Sequence, residues 1–134
     1  MGSALLIFLG LWTVAVAAAR ADEPWRAPPS VRGRRNPLPA AASTAGAALF
    51  AGNCAVCHGP LGRGDGMAAA ALNPPPRDLT SPAVQADSDG GLFWKITSGR
   101  GAMPAWPWLT ERERWSLVWA LRALPRKAAA AAPQ

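Results

Sequence analysis

The chain is poor in the residues from which metal and redox centres are built: its 134 positions hold one histidine, His58, and two cysteines, Cys54 and Cys57. Once these three are used, no Cys or His remains to complete a four-ligand structural zinc set. Strand patterning is also missing, which removes the βαβ context that a thioredoxin-like Cys-x-x-Cys pair requires. Positive charge is in excess, 14 Lys plus Arg against 8 Asp plus Glu, yet no Lys/Arg run is longer than Arg34-Arg35. Over residues 44–126 eight bases face six acids. That part is close to neutral and lacks the basic face of a nucleic-acid binder, so no nucleic-acid partner is expected.

The length allows one domain. Residues 4–19 form an apolar run, and Ala19 and Ala21 stand as small residues just before Asp22. This is the core and the A-x-A end of a secretory signal, which places a signal peptide at 1–21 and cleavage after Ala21. The other course is an uncleaved anchor associated with the membrane, although sixteen residues are short of the roughly 20 that a spanning helix needs. Both courses imply export. Twelve arginines to two lysines, with abundant alanine, fit a GC-rich bacterial genome and a periplasmic address.

Residues 22–43 contain five prolines and four arginines, a composition that opposes helix and reads as a stiff linker that wraps or trails. Residues 127–134 read as an Ala-rich frayed tail. The domain between them, 44–126, has a length at which a core made of polypeptide alone is marginal. A large apolar cofactor would help fill it, and six of the seven tryptophans lie beyond the leader.

Within the domain the pattern is helical. Residues 44–53 carry Gly46, Leu49 and Phe50 at helical spacing and run directly into Cys54. A short helix over 89–98 has Leu92, Phe93 and Ile96 as its apolar face. The clearest element is 110–124, where Thr110 caps, Glu113 completes a capping box, and Leu117, Leu121 and Leu124 share a stripe. Between the first two helices, 59–87 is a long Gly/Pro-rich loop, and a loop of that length in a small domain calls for a functional reason.

Cys54-Ala55-Val56-Cys57-His58 is C-x-x-C-H, the attachment signature of c-type haem. Two thiols one helical turn apart can each add to a porphyrin vinyl group, and the next residue then aims its imidazole at the iron. The bland reading of the same residues is a disulfide staple beside an incidental histidine. A haem iron in this site has no second histidine to call on, so bis-histidine ligation is excluded. Met67 follows His58 too closely to reach the opposite haem face comfortably. Met103, held in Gly99-Arg100-Gly101-Ala102-Met103-Pro104, is the expected sixth ligand.

Gly46-x-x-x-Phe50-x-x-x-Cys54-x-x-Cys57-His58-Gly59, then Gly62-x-Gly64-Asp65-Gly66, Asn73-Pro74-Pro75-Pro76-Arg77-Asp78-Leu79, Ile96-x-x-Gly99-x-Gly101-x-Met103-Pro104 and a last helix ending Leu121-Arg122-x-Leu124 resemble a bacterial class I (monohaem) cytochrome c. The resemblance implies an all-α fold whose N- and C-terminal helices cross around one covalently bound haem c. Ala120 departs from the family pattern, which has an aromatic residue just before the Leu-Arg pair; here Trp119 comes one position earlier. The family also implies that a proline carbonyl, Pro75 or Pro76, accepts the second N–H of His58. Candidate donors to the haem propionates are Arg77, Lys95 and Arg100, and Trp94 and Trp106 are candidates to pack on the ring.

The expected function is electron transfer in a periplasmic respiratory or dehydrogenase-linked chain, between redox protein partners, with no enzymatic activity. A docked or membrane-held electron-accepting subunit of one oxidoreductase is the alternative. A haem peroxidase or gas sensor would need Met103 to detach.

Overall fold

A computed structural model describes residues 24–132; the leader read at 1–21 lies outside them. Six α-helices follow one another among the described residues: α1 (Pro29–Arg32), α2 (Ser43–Asn53), α3 (Ala55–His58), α4 (Pro82–Gln85), α5 (Asp89–Ser98) and α6 (Glu111–Ala130). Two 3-10 turns occur at Ala40–Ala42 and Ala69–Ala71. No strand forms among these residues, and the one isolated bridge joins Arg100 to Met103. None of the described helices is long and apolar enough to cross a membrane.

The three expected helices are α2, α5 and α6. α6 starts as its capping box dictates: Thr110 Oγ1 accepts from the Glu113 N–H at 3.2 Å, and the Glu113 carboxylate accepts from the Thr110 N–H at 2.7 Å. Its buried stripe of Trp115, Leu117, Val118, Leu121 and Leu124 meets Phe50 of α2 and Leu92, Phe93 and Ile96 of α5, and these nine residues are the core. α2 crosses α6 at Gly46, against the Ser116 carbonyl, at a separation that leaves no space for a Cβ. Ala120 is buried. Trp119 is engaged elsewhere, its indole N–H donating to Leu38 O at 2.8 Å.

α6 runs past the expected end at Leu124. Pro125 lies inside it and has no N–H to give to the carbonyl four residues back, Leu121 O. The Gln85 side chain, from the end of α4, donates to that carbonyl at 3.1 Å. Alanine, the best helix former, then carries the helix on to Ala130, where a frayed tail was expected. Ala128 is buried, and its carbonyl accepts from Arg63 Nη2 at 2.9 Å.

Of the two courses left open for the proline-rich segment, the chain from Trp25 onward wraps. It also contains α1, one turn begun by Pro29, since proline's missing N–H costs nothing at a first helical position. Contact with the body is nearly continuous. Trp25 lies against Trp94, ring centroids 6.4 Å apart, and Ala27 is buried. Arg34 O accepts from Gly90 N at 3.0 Å, and Asn36 Nδ2 donates to Trp115 O at 2.9 Å. The Arg34 guanidinium sits over the stacked rings of Phe93 and Trp115, 5.3 and 5.2 Å from their centroids, and pairs with Glu111 at 2.6 Å.

Candidate functional site

The Cys-x-x-Cys-His turn grows directly out of α2. Cys54 N donates to Phe50 O at 2.8 Å, and Cys54 is also the residue from which α3 starts. Bonds from His58 N to Cys54 O (2.9 Å) and from Gly59 N to Ala55 O (2.8 Å) wind the motif into one turn. Cys54, Cys57 and His58 therefore share one helical turn, with Cys54 at its cap and Cys57 and His58 adjacent at its end, all half-buried and with both thiols free.

A one-turn helix leaves its last carbonyls without partners inside the helix. The loop that follows provides them. Gly64 N donates to His58 O at 2.8 Å, Gly66 N to Cys57 O at 3.1 Å and Ala68 N to Val56 O at 2.9 Å, while Leu79 N closes the loop on Gly62 O at 2.7 Å. Gly64 has φ +80° and lies against the Pro76 carbonyl, a conformation and a contact that only glycine accepts without strain. The long loop, unexplained as secondary structure, frames the motif.

His58 Nδ1 lies 3.1 Å from Arg77 O. A carbonyl only accepts, so the proton resides on Nδ1 and the lone pair on Nε2. The expected acceptor was Pro75 or Pro76; it is the next residue, because the Pro76 carbonyl is turned toward Gly64. Burial lowers the His58 pKa from 6.5, against an opposing pull from the Arg77 hydrogen bond, and so favours the neutral ring that binds metal. The Cys54 thiol is pushed up to about 11, first by burial and then by Cys57. A disulfide-exchanging pair needs the opposite shift in its attacking thiol.

Met67 is 95% exposed. Met103 is half-buried in a tight turn: Arg100 N donates to Met103 O at 2.9 Å and Met103 N to Arg100 O at 3.0 Å, with Gly99 and Gly101 at φ +60° and +58°. Trp106 N donates to Ile96 O at 3.1 Å and ties the far end of that loop to α5. Lys95 faces the N-terminal segment, bonded to Asp87 at 2.6 Å with its ammonium 5.4 Å from the Trp25 ring centroid. Trp94 contacts Trp25, Trp106 contacts Trp108 at 5.1 Å between centroids, and Arg77 and Arg100 are exposed.

Two residues that the sequence left without a role support this frame. Arg122 donates to Asp89 Oδ1 from Nε (3.0 Å) and Nη2 (2.8 Å), to Gln85 O from Nη1 (2.7 Å) and to Asp87 O from Nη2 (2.6 Å). Gln85 Nε2 bridges Leu79 O and Leu121 O. The Leu-Arg pair of α6 was the signal for Arg122; for Gln85 the only signal was Pro125, which orphans a carbonyl without saying who will satisfy it.

A family model described as cytochrome c oxidase, cbb3-type, subunit III matches residues 41–119. This chain belongs to that cytochrome c family. It is similar over 66 residues, 46% of its length, to cytochrome c6 of Chlorolobion braunii (38% identical, 65% of that protein), to chloroplastic cytochrome c6 of Chlamydomonas reinhardtii (38%, 39%) and to cytochrome c6 of Cladophora glomerata (36%, 64%). The chain thus spans less than two thirds of the length of each of these relatives. As a class I cytochrome c it is all-α, and its cofactor is a covalently bound haem c with iron. The residues present fit that group: two free thiols and an imidazole with Nε2 open share one framed turn. Among the described residues no cluster of three His, Cys, Asp or Glu side chains offers a bare ion an alternative. For the cytochrome c family in general terms, the work of that cofactor is haem-based electron transfer.

Proposed function

We propose that this cytochrome c is a one-electron carrier, not an enzyme, with its single haem c joined through thioethers at Cys54 and Cys57 and with His58 and Met103 as axial ligands. When bound, the group supplies a one-electron couple whose potential His/Met ligation raises. The chain's part is positional. Arg77 O holds the imidazole by Nδ1, burial keeps the ring neutral, and the 59–79 loop fixes the turn that carries it. Met103 offers a soft thioether from a turn with little freedom. Two filled axial positions leave none for a substrate, and no second histidine exists to assist peroxide cleavage.

The observation that carries this reading is the engagement of His58 Nδ1 by a backbone carbonyl on a Cys-x-x-Cys turn. The outward position of Met67 supports Met103 over Met67. We place the protein on the exported side of a membrane, periplasmic by the leader read at 1–21, with one redox protein as electron donor and another as acceptor. The docked-subunit alternative has one observation in its favour, the description of the matching family as an oxidase subunit. For such a subunit the linker at 22–43 would be the tether, but its described part is bound to the body from Trp25 to Leu38 and is not a free arm.

Acid–acetone treatment should leave the haem mass on the polypeptide, and complete extraction would end the attachment claim. Oxidised protein should show the weak sulfur-to-iron charge-transfer band toward the red. Met103→Ala should abolish it, admit carbon monoxide to the reduced protein and lower the potential; Met67→Ala should change none of the three. The reverse pattern would move the ligand to Met67, and free binding of carbon monoxide by the unaltered protein would favour the sensor or peroxidase reading.

A further inference from the structure

The wrapped N-terminal segment closes a polar cleft against the body. Arg26, Ala27 and Arg32 form one wall, and Ala83, Ala86, Asp87 and Lys95 form the other, around a volume of about 320 Å³. Its charges do not balance. Asp87 is the sole acid, and both its oxygens are engaged, Oδ2 by Lys95 at 2.6 Å and Oδ1 by the Ser88 N–H at 2.8 Å. Arg26 and Arg32 have no side-chain partner among the described residues and are exposed toward solvent. Three cations against one carboxylate leave the cleft with an excess of two positive charges.

The backbone that carries the two arginines is held in place. The Arg26 N–H donates to Pro24 O at 2.7 Å, and Arg32 closes α1 by donating to Pro28 O at 2.9 Å. Lys95 is fixed over Trp25 and uses one of an ammonium's three donors on Asp87. The alanines leave space between them. Two unpaired guanidinium forks beside an ammonium already held in place match a tetrahedral oxyanion, which accepts several charge-assisted hydrogen bonds at once.

We propose that this cleft is a phosphate-group site, formed only while the N-terminal segment is docked. The phosphate belongs either to a free anion or to the headgroup of an anionic lipid. The second source has a sequence argument that holds where the leader is kept as an anchor: its apolar run 4–19 ends a few residues before Trp25 in the chain, which limits how far a membrane engaged by that run can be from Arg26.

The test uses haem-loaded full chain and the double variant Arg26→Gln/Arg32→Gln, with Arg126→Gln/Lys127→Gln, on α6, as a control of equal charge change. Inorganic phosphate is titrated against chloride at matched ionic strength by backbone amide chemical shifts, and vesicles of phosphatidylglycerol are compared with phosphatidylcholine by flotation. The unaltered protein should bind at least one of the two phosphate probes. The Arg26/Arg32 variant should lose about tenfold or more of that affinity, the effect of removing one or more charge-assisted bonds, and the control should keep it. Response to phosphate alone assigns a free anion; response to phosphatidylglycerol assigns a headgroup. Equal losses in both variants, or no binding above the chloride and phosphatidylcholine references, would overturn the proposal. Because the readouts are binding and not redox chemistry, the outcome is independent of the axial ligand assignment.

Discussion

At the scale of single residues, Arg122 organises more of this molecule than its place in the sequence announces. One planar fork reaches the Asp89 carboxylate and the carbonyls of Gln85 and Asp87, and so joins α6 to the junction of α4 and α5. Lysine keeps the charge and lacks the fork. Arg122→Lys should lower the unfolding free energy by about 2 kcal/mol, because at least one half-buried carbonyl loses its donor. Urea denaturation followed by tryptophan fluorescence measures it, and a loss within about 0.5 kcal/mol would show that the fork is dispensable. Gly46→Ala tests the helix crossing. Its new methyl has to push against the Ser116 carbonyl, and the cost should be about 1–3 kcal/mol as α2 and α6 part. At this scale the candidate motif was legible where chemistry demands residue type: Cys54, Cys57 and His58 stand out by spacing, and the structure brings them onto one turn. The His58 acceptor was one residue off, since any residue has a carbonyl and only the path of the chain decides which one faces the ring.

At the scale of elements, the three long helices were legible because each carries a local signal, the Thr110 and Glu113 box or apolar residues at helical spacing; the Ser88 cap, which accepts from Gly91 N at 3.0 Å, is added by the structure. The true end of α6 was not, since it depends on a residue forty positions upstream in another helix. Gln85 and Pro125 should be coupled. Gln85→Ala alone leaves Leu121 O without a donor and should cost about 1–2 kcal/mol. In a Pro125→Ala background the new N–H at 125 reaches that carbonyl, and the same substitution should cost at least about 0.5 kcal/mol less. A double-mutant cycle by chemical denaturation gives the coupling, and strict additivity would refute it. The proline-rich segment was misjudged in part for a related reason. Proline content reports what the segment does not do with itself, whereas Arg34, Asn36 and Leu38 bind partners more than fifty residues away.

At the scale of the whole molecule, the N-terminal wrap makes stability depend on acid. The Arg34 hydrogen bond lowers the Glu111 pKa below 4.5, the Thr110 N–H and hydroxyl lower that of Glu113, and Thr80 lowers that of Asp78 below 3.8. A carboxyl depressed in the folded state contributes stability that is complete above its ordinary pKa and lost as pH falls through its folded value. Loosening should therefore begin below about pH 4.5 and should include the wrap, because protonated Glu111 no longer attracts Arg34. Glu111→Gln should have a shallower decline in thermal midpoint over that range than the unaltered protein. An identical acid profile would show that the pair contributes nothing.

The crossing of α2 with α6 also orders events in time. The helix that leads into the Cys54 to His58 turn finds its packing partner at the opposite end of the domain, so its apolar face has nothing to close on until α6 has emerged. Contacts so distant along the chain form late, because the intervening loop must first be closed. During synthesis the two thiols and the imidazole therefore ride on a segment whose tertiary support is still missing, open to whatever machinery modifies them. Covalent loading and final folding become successive steps, and the second can seal in what the first has attached.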